Sequence, residues 1–441
     1  MINRLTEVVS ELKRNWVRAL DPAQIEQVCR DSGLRWRERV LSPLHTVQLL
    51  LLQILQGNPS LRHVRMFSDL RFSASAYCQA RSRLPVTVLQ QLLQKMSVGI
   101  KRTNTQCALW HGRRAYIVDG SHFSMSDTTE LRRHFGQHSE QKEGCGFPIA
   151  HFIALVHVGT GMITEILSGG IFSHDLSRFI KLHSGLRKKD VVVGDRAFCS
   201  YAHLALILQR GVDAVFRIHE RHIVSFKAGR AYSATKKGFP RSRWEKKLGI
   251  KDQLVTWFKP KTCPRWMNKG QYKLLPASLP LREVAYSTRK PGFRARYVKL
   301  VSTLVDEKEF PAEVLASLYQ QRWTIETNFR HLKTTMGMEV LNCHTVDGVL
   351  KEFYAFCIVY NLVRTVMLNA AEAQHVAHDR ISFTDALCSL LAACCGYSHK
   401  RILQISPRPG RTEPRAVKRR PKQYPRLTKP RKLYANLRVY A

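Results

Sequence analysis

The most constraining stretch of this 441-residue chain is Asp190-Val191-Val192-Val193-Gly194-Asp195. Consecutive valines favour extended backbone, and a strand apolar on both faces has to be covered on both sides. Such cover comes from helices flanking a sheet. The neighbouring sequence supplies that sheet. Ala115-Tyr116-Ile117-Val118 has the pattern of a strand running straight into Asp119-Gly120-Ser121. Residues 151–158 and 162–167 form two more strands around Gly159-Thr160-Gly161, which predicts an antiparallel meander of three. A helix starting at Ser173 or His174 and ending near Gly185 precedes the valine strand. A helix over 201–209 and a strand over 214–218 follow it.

Three antiparallel strands, then alternating helix and strand, is the order of a ribonuclease-H-like core. The predicted fold class is therefore α/β: a ribonuclease-H-like catalytic core at 111–345, with a β-rich insertion at about 219–305 and helical regions on either side. Residues 1–110 are helical by pattern. Pro43 opens a helix with Leu44, Val47, Leu51 and Leu55 on one side, and Gly57-Asn58-Pro59 stops it. A short helix over 61–67 follows, then one starting at Ser73 or Ser75 and ending before Pro85. Two short helices and a third bearing Gln79, Arg81 and Arg83 suggest a helix-turn-helix DNA reader. A plain bundle with a solvated basic face is the alternative. In the insertion, Trp244, Trp257 and Trp266 stand among cations, which suits stacked bases and phosphates as well as a small core. Residues 346–397 form a helical C-terminal region. The tail, 398–441, carries Lys418-Arg419-Arg420 and Lys429-Pro430-Arg431-Lys432 and should stay disordered until it meets phosphate.

Charge narrows the partners. Lys and Arg number 71 against 33 Asp and Glu, a formal +38. That excess repels itself and makes sense chiefly beside a polyanion, with nucleic acid first. A membrane is not expected, because the longest apolar run noted, residues 47–55, falls short of the ~20 residues of a spanning helix. The opening residues lack the pattern of a signal peptide, and the expected location is the cytoplasm, at the nucleoid. Eleven cysteines include no Cys-x-x-Cys pair, and His219 and His222 have no cysteine pair nearby, so neither disulfides nor zinc is expected.

The chemistry-bearing residues are three carboxylates. Asp119 and Asp195 each stand at the exit of a predicted strand, and Glu326 lies on a helix predicted over 319–333. At roughly 100° per residue, Tyr319, Arg322, Glu326, Arg330 and Lys333 share one face within an arc of about 80°. Salt pairs of Glu326 with Arg322 or Arg330 would explain that face structurally. The functional reading is a metal-binding carboxylate ringed by phosphate-binding groups. Three converging carboxylates repel one another unless cations bind, and Mg2+ prefers such hard oxygen ligands.

At these residues the chain resembles the bacterial insertion-sequence transposases of the DDE class, in the insertion-sequence-four branch. That branch is marked by Tyr, Arg, Glu and Lys separated by two, three and six residues, and Tyr319, Arg322, Glu326 and Lys333 match the spacing. Val118-Asp119-Gly120-Ser121 and Val193-Gly194-Asp195-Arg196-Ala197-Phe198 are similar to its two aspartate motifs. The resemblance implies that Asp119, Asp195 and Glu326 are catalytic ligands of two Mg2+ ions, with Mn2+ able to substitute. It further implies phosphate binding by the helix-face residues and a homodimer on paired double-stranded ends of the element, its terminal inverted repeats, which are cut and joined to target DNA. In relatives a hairpin intermediate forms and an insertion tryptophan holds a flipped base. A nuclease without strand transfer and a decayed DNA-binding protein are the competing readings.

Overall fold

The computed structural model describes all residues except 13, 69, 103–108, 139–144, 172–174, 289–295, 398–401, 403 and, Leu433 apart, those from 405 onward. The expected helix start at Ser173 or His174 and the basic runs of the tail lie outside the described residues.

Ten strands form one sheet among the described residues: β1 (Ala115–Met125), β2 (Ile149–His157), β3 (Ile163–Gly170), β4 (Val191–Gly194), β5 (Asp213–Arg217), β6 (Arg241–Gly249), β7 (Asp252–Phe258), β8 (Ser278–Thr288), β9 (Arg296–Ser302) and β10 (Val340–Leu341). Their order is β3-β2-β1-β4-β5-β9-β8-β7-β6, with β10 parallel to β1. β1, β2 and β3 are the antiparallel meander, and β4 and β5 extend it in parallel. The valine strand is buried throughout, as its composition requires.

Two expectations change here. β1 does not end at Asp119: β2 keeps pairing with it as far as Ser124, while β4 stops pairing at Val118 opposite Gly194. The insertion is not a separate β unit either. β9 pairs antiparallel with β5, Val215 opposite Ser302, and β8, β7 and β6 follow outward in the same sheet. An unpaired edge of β5 would leave backbone donors and acceptors unmet, and β9 satisfies them. Strand pattern in the sequence marks strands but not their partners.

Helices α1 (Ile2–Glu11), α2 (Pro22–Asp31), α3 (Pro43–Leu55), α4 (Leu61–Val64), α5 (Ala74–Arg83) and α6 (Val86–Lys101) precede the sheet. Ser42 caps α3 and Ser73 caps α5 by accepting from the backbone N–H three residues on. Within the sheet region come α7 (Thr129–Phe135), α8 (Asp175–Leu182), α9 (Tyr201–Gln209) and α10 (Lys269–Lys273), then α11 (Ala312–Gln320) and α12 (Trp323–Arg330). α13 (Val346–Ala373) and α14 (Phe383–Cys394) follow.

Side chains of β1 alternate between two cores. Ala115, Ile117 and Phe123 join a large core with α3, α6 and α13, whereas Tyr116 and Val118 join one with α9 and Trp257. α13 runs through the first. It is the first helix of the expected C-terminal region, 28 residues long and apolar enough to cross a membrane by length and composition. It is instead the spine of the protein, with 83% of its apolar window buried. Its buried polar groups are met internally: Lys351 Nζ donates to the carbonyls of Arg81 and Ser82 at 2.7 and 3.0 Å, and Arg364 donates to that of Thr160. The expected tail boundary also shifts, because Ile402 is buried in the core and Gln404 donates to Gln374 Oε1 at 2.9 Å.

Candidate active site

The site forms where β1 and β4 part. Their parallel pairing ends at Val118 and Gly194, so Asp119 and Asp195 are the next residues on adjacent strands. Gly194 suits this close approach, since a Cβ there would stand 3.0 Å from both Phe216 and Val118 side chains and they would have to give way. Each aspartate is oriented by local backbone: Asp119 Oδ1 accepts from Gly120 N–H at 2.9 Å, and Asp195 Oδ1 from Ala197 N–H at 2.7 Å. Burial, reinforced by Asp195 and Glu326, pushes the Asp119 carboxyl up from 3.8 to about 6.

Glu326 arrives from α12, in whose first turn a carboxylate also meets the positive end of the helix. The helix expected over 319–333 comes in three pieces. α11 ends at Gln320, a tight turn closes with Arg322 N–H donating to the Tyr319 carbonyl at 3.0 Å, and α12 then runs into a wide π turn over His331–Thr335. Uniform helical periodicity cannot reveal either irregularity.

Arg322 is the hub of this site. Only 8% exposed, it donates from Nη1 to Asp119 Oδ2 and from Nη2 to Glu326 Oε1, both at 3.3 Å. Its guanidinium lies 4.6 Å from the Trp323 ring centroid, and its Nε is buried with no acceptor at hydrogen-bonding geometry among the described residues. Tyr319 is buried beside it, its phenol pushed up mainly by burial. Lys333 reaches back to β1, with Nζ 3.4 Å from Ser121 Oγ, and burial lowers its pKa. Ser121 was legible only as part of a motif; its place two residues beyond Asp119 on a strand puts it on the same face. Arg330 departs from the expected cluster. It is exposed, makes no ion pair among the described residues, and lines a cavity of about 670 Å3 with Thr327, His331 and Arg364.

Hard oxygen donors on two strands and a helix have the chemistry that a divalent metal needs, and a cationic group already lies between two of them. As the side chains stand, no three His, Cys, Asp or Glu groups among the described residues are close enough to hold one ion.

The three insertion tryptophans separate clearly. Trp257 is 1% exposed and donates to Glu283 Oε1 at 2.8 Å, so it fills a core. Trp244 is half-buried on the outer strand β6. Trp266 stacks on His203 at 4.4 Å and lines a cavity of about 560 Å3 to which Arg196, the residue after Asp195, also contributes. In the N-terminal region, Gln79 and Arg83 are exposed on α5. Arg81 is not. Its Nη1 donates to Gln53 Oε1 at 3.2 Å and its Nη2 to Cys343 Sγ at 3.3 Å, so the fork expected to read DNA is engaged inside the protein.

Carboxylates on neighbouring strands, a third on a helix and cations among them are the setting of a DNA-cleaving and DNA-joining enzyme of the DDE transposase class. The chain belongs to the transposase DDE domain family, whose model matches residues 110–362, more than half its length. Among curated proteins it is similar to transposase InsG for insertion sequence element IS4 of Escherichia coli (strain K12), 23% identical over 441 residues and covering 93% of each chain. The putative transposase InsZ of the same strain is 23% identical over 143 residues, covering 32% of this chain and 47% of that protein. Among solved structures, the piggyBac transposase in a synaptic complex with hairpin DNA matches with a TM-score of 0.44 and 11% identity, over 84% of this chain and 76% of that one.

Proposed function

We propose that this DNA transposase is built on a ribonuclease-H-like core and uses Asp119, Asp195 and Glu326 as ligands for two Mg2+ ions. The observation that carries this reading is the placement of Asp119 and Asp195 immediately beyond the paired ends of adjacent parallel strands, with Glu326 tied to Asp119 through one guanidinium. The strand order β3-β2-β1-β4-β5 supports the fold assignment. When bound, two such ions supply activation of the attacking oxygen and stabilisation of the leaving one. The protein's part is to place the DNA strand. Arg322 offers a planar fork to a phosphate, Lys333 a compact charge, and Tyr319 a hydroxyl beside them. Misplacement near 1 Å can cost on the order of a hundredfold, so these side chains govern rate through alignment.

The substrates proposed are the terminal inverted repeats of an insertion sequence and a target duplex, held by a homodimer on paired ends. Trp266, at the cavity to which Arg196 also contributes, is the insertion tryptophan best placed to stack a displaced base. The test incubates purified protein with a labelled element end, target plasmid and Mg2+. Joined product is expected from the wild type. Asp119→Asn, Asp195→Asn and Glu326→Gln each keep the side-chain shape and should lose cleavage by a hundredfold or more while still shifting the labelled end. Cleavage within a few-fold of wild type by any of them removes that residue from the site. Cleavage without joining makes the protein a nuclease.

A further inference from the structure

We propose that Arg322 is an exchangeable counter-ion. It holds Asp119 and Glu326 until a DNA phosphate takes its fork, so that metal binding and DNA binding promote each other. This inference rests on the metal-ligand reading of Asp119, Asp195 and Glu326 given above.

The first support is the way Arg322 is held. A guanidinium paired bidentately with one carboxylate makes two parallel bonds of ~2.7–2.9 Å. Arg322 instead spreads single bonds of 3.3 Å to two different carboxylates. That grip neutralises both without satisfying the geometry of either. The second support is the Nε–H, which is buried and meets no acceptor at hydrogen-bonding geometry among the described residues, with the Tyr319 phenol beside the same guanidinium. A guanidinium has five N–H donors in a fixed plane, and the edge formed by Nε and one Nη matches two oxygens of a phosphate. One incoming phosphate would thus meet this donor and draw the fork from one or both carboxylates.

The third support is position. Arg322 stands at the tight turn between α11 and α12, and its guanidinium lies on Trp323, a ring 51% exposed. That ring offers the guanidinium a partly solvent-facing surface to rest on when it leaves the carboxylates. Lys333 is engaged differently. Its contact is a hydroxyl, Ser121 Oγ, so of these two cations Arg322 is the one that ties Asp119 to Glu326.

Two consequences follow from linkage. Without DNA, a divalent cation has to compete with Arg322 for Asp119 and Glu326, and the enzyme is poorly loaded. With DNA, the competition is lifted, and the factor gained in metal affinity equals the factor gained in DNA affinity when metal is present. The device withholds phosphodiester chemistry from a protein whose +38 charge otherwise attracts any nucleic acid.

The experiment measures free Mn2+ by electron paramagnetic resonance during titration of the full-length protein. It is run with and without a pre-cleaved duplex carrying the element end, at fixed ionic strength, with a duplex-only titration subtracted. The wild type is expected to bind Mn2+ at least tenfold more tightly with the duplex. Arg322→Gln, checked by thermal melting, should bind Mn2+ tightly without DNA and gain less than threefold from it. Wild-type affinity that ignores the duplex overturns the proposal without any variant, as does an Arg322→Gln protein that melts normally but binds Mn2+ no better than wild type. Asp119→Asn separates the two levels of inference. Loss of its Mn2+ binding in both states keeps the metal-ligand reading whatever Arg322 does, whereas wild-type binding by Asp119→Asn defeats that reading and the exchange together.

Discussion

Gln79, Arg81 and Arg83 lie within one and a half turns of α5, yet they face different surroundings. Gln79 and Arg83 are exposed, whereas Arg81 bonds Gln53 and Cys343 and covers the Tyr77 ring at 5.8 Å. The physical expectation divides accordingly. Arg83→Ala should leave the melting temperature within about a degree, weaken DNA binding, and lower the slope of log affinity against log salt by about one if Arg83 neutralises one phosphate. Arg81→Ala should lower the melting temperature by several degrees, because Gln53 and Cys343 lose a buried charged donor. Filter binding across a salt series, beside melting curves, checks both. A salt slope that moves with Arg81→Ala, in a protein that melts normally, would return Arg81 to the DNA surface.

At the scale of elements, α13 decides how the N-terminal helices and the sheet stay together. Its Glu352 is 1% exposed and accepts from the backbone N–H groups of Asn342 and Cys343, both at 3.0 Å, and from the Asn58 side chain. Lys351, next along the helix, holds the last carbonyls of α5. One turn of α13 thus ties the Gly57-Asn58 stop, the end of the candidate reader helix and the residues just beyond β10. Truncation to Glu352→Ala would strand several donors, each worth about 1–3 kcal/mol when buried and unmet. A loss on the order of 3 kcal/mol in urea unfolding is expected, with the slope against urea unchanged if the protein still unfolds as one unit. A second, earlier transition in the variant would mean that the N-terminal region has become independent.

The whole molecule carries a pH dependence set by its buried histidines. Burial lowers His157 from 6.5 to about 3, and His183, His222, His331 and His378 to about 4. Each is neutral in the fold and takes a proton in the unfolded chain below about 6.5, so the unfolded state binds more protons between 6.5 and 4. Stability from these groups is complete above 6.5 and is lost as pH falls through that window, by up to about 1.4 kcal/mol per pH unit for each proton. Melting temperature should therefore drop steadily from pH 7 to pH 5 at constant ionic strength. A flat profile over that range would show that these histidines are solvated.

The sequence by itself determined the α/β order of elements, the strand that must be covered on both faces, the positions of the two aspartates and the glutamate proposed as ligands, and the basic character that selects DNA. These are local facts: side-chain period, composition and spacing express them within a few residues. The tertiary structure decided what depends on distant partners. Pairing carried β1 past Asp119 and joined the insertion to the edge of β5, because backbone groups bond to whichever strand arrives beside them. Packing turned Arg81 inward and separated Trp257 from Trp266, and Arg330 ended on an exposed surface beside a cavity, with no ion pair to Glu326 among the described residues. The bridge from Arg322 to Asp119 spans 203 positions of chain, and no spacing rule reaches that far. A residue's type states what bonds it can make; only the fold states which neighbour receives them.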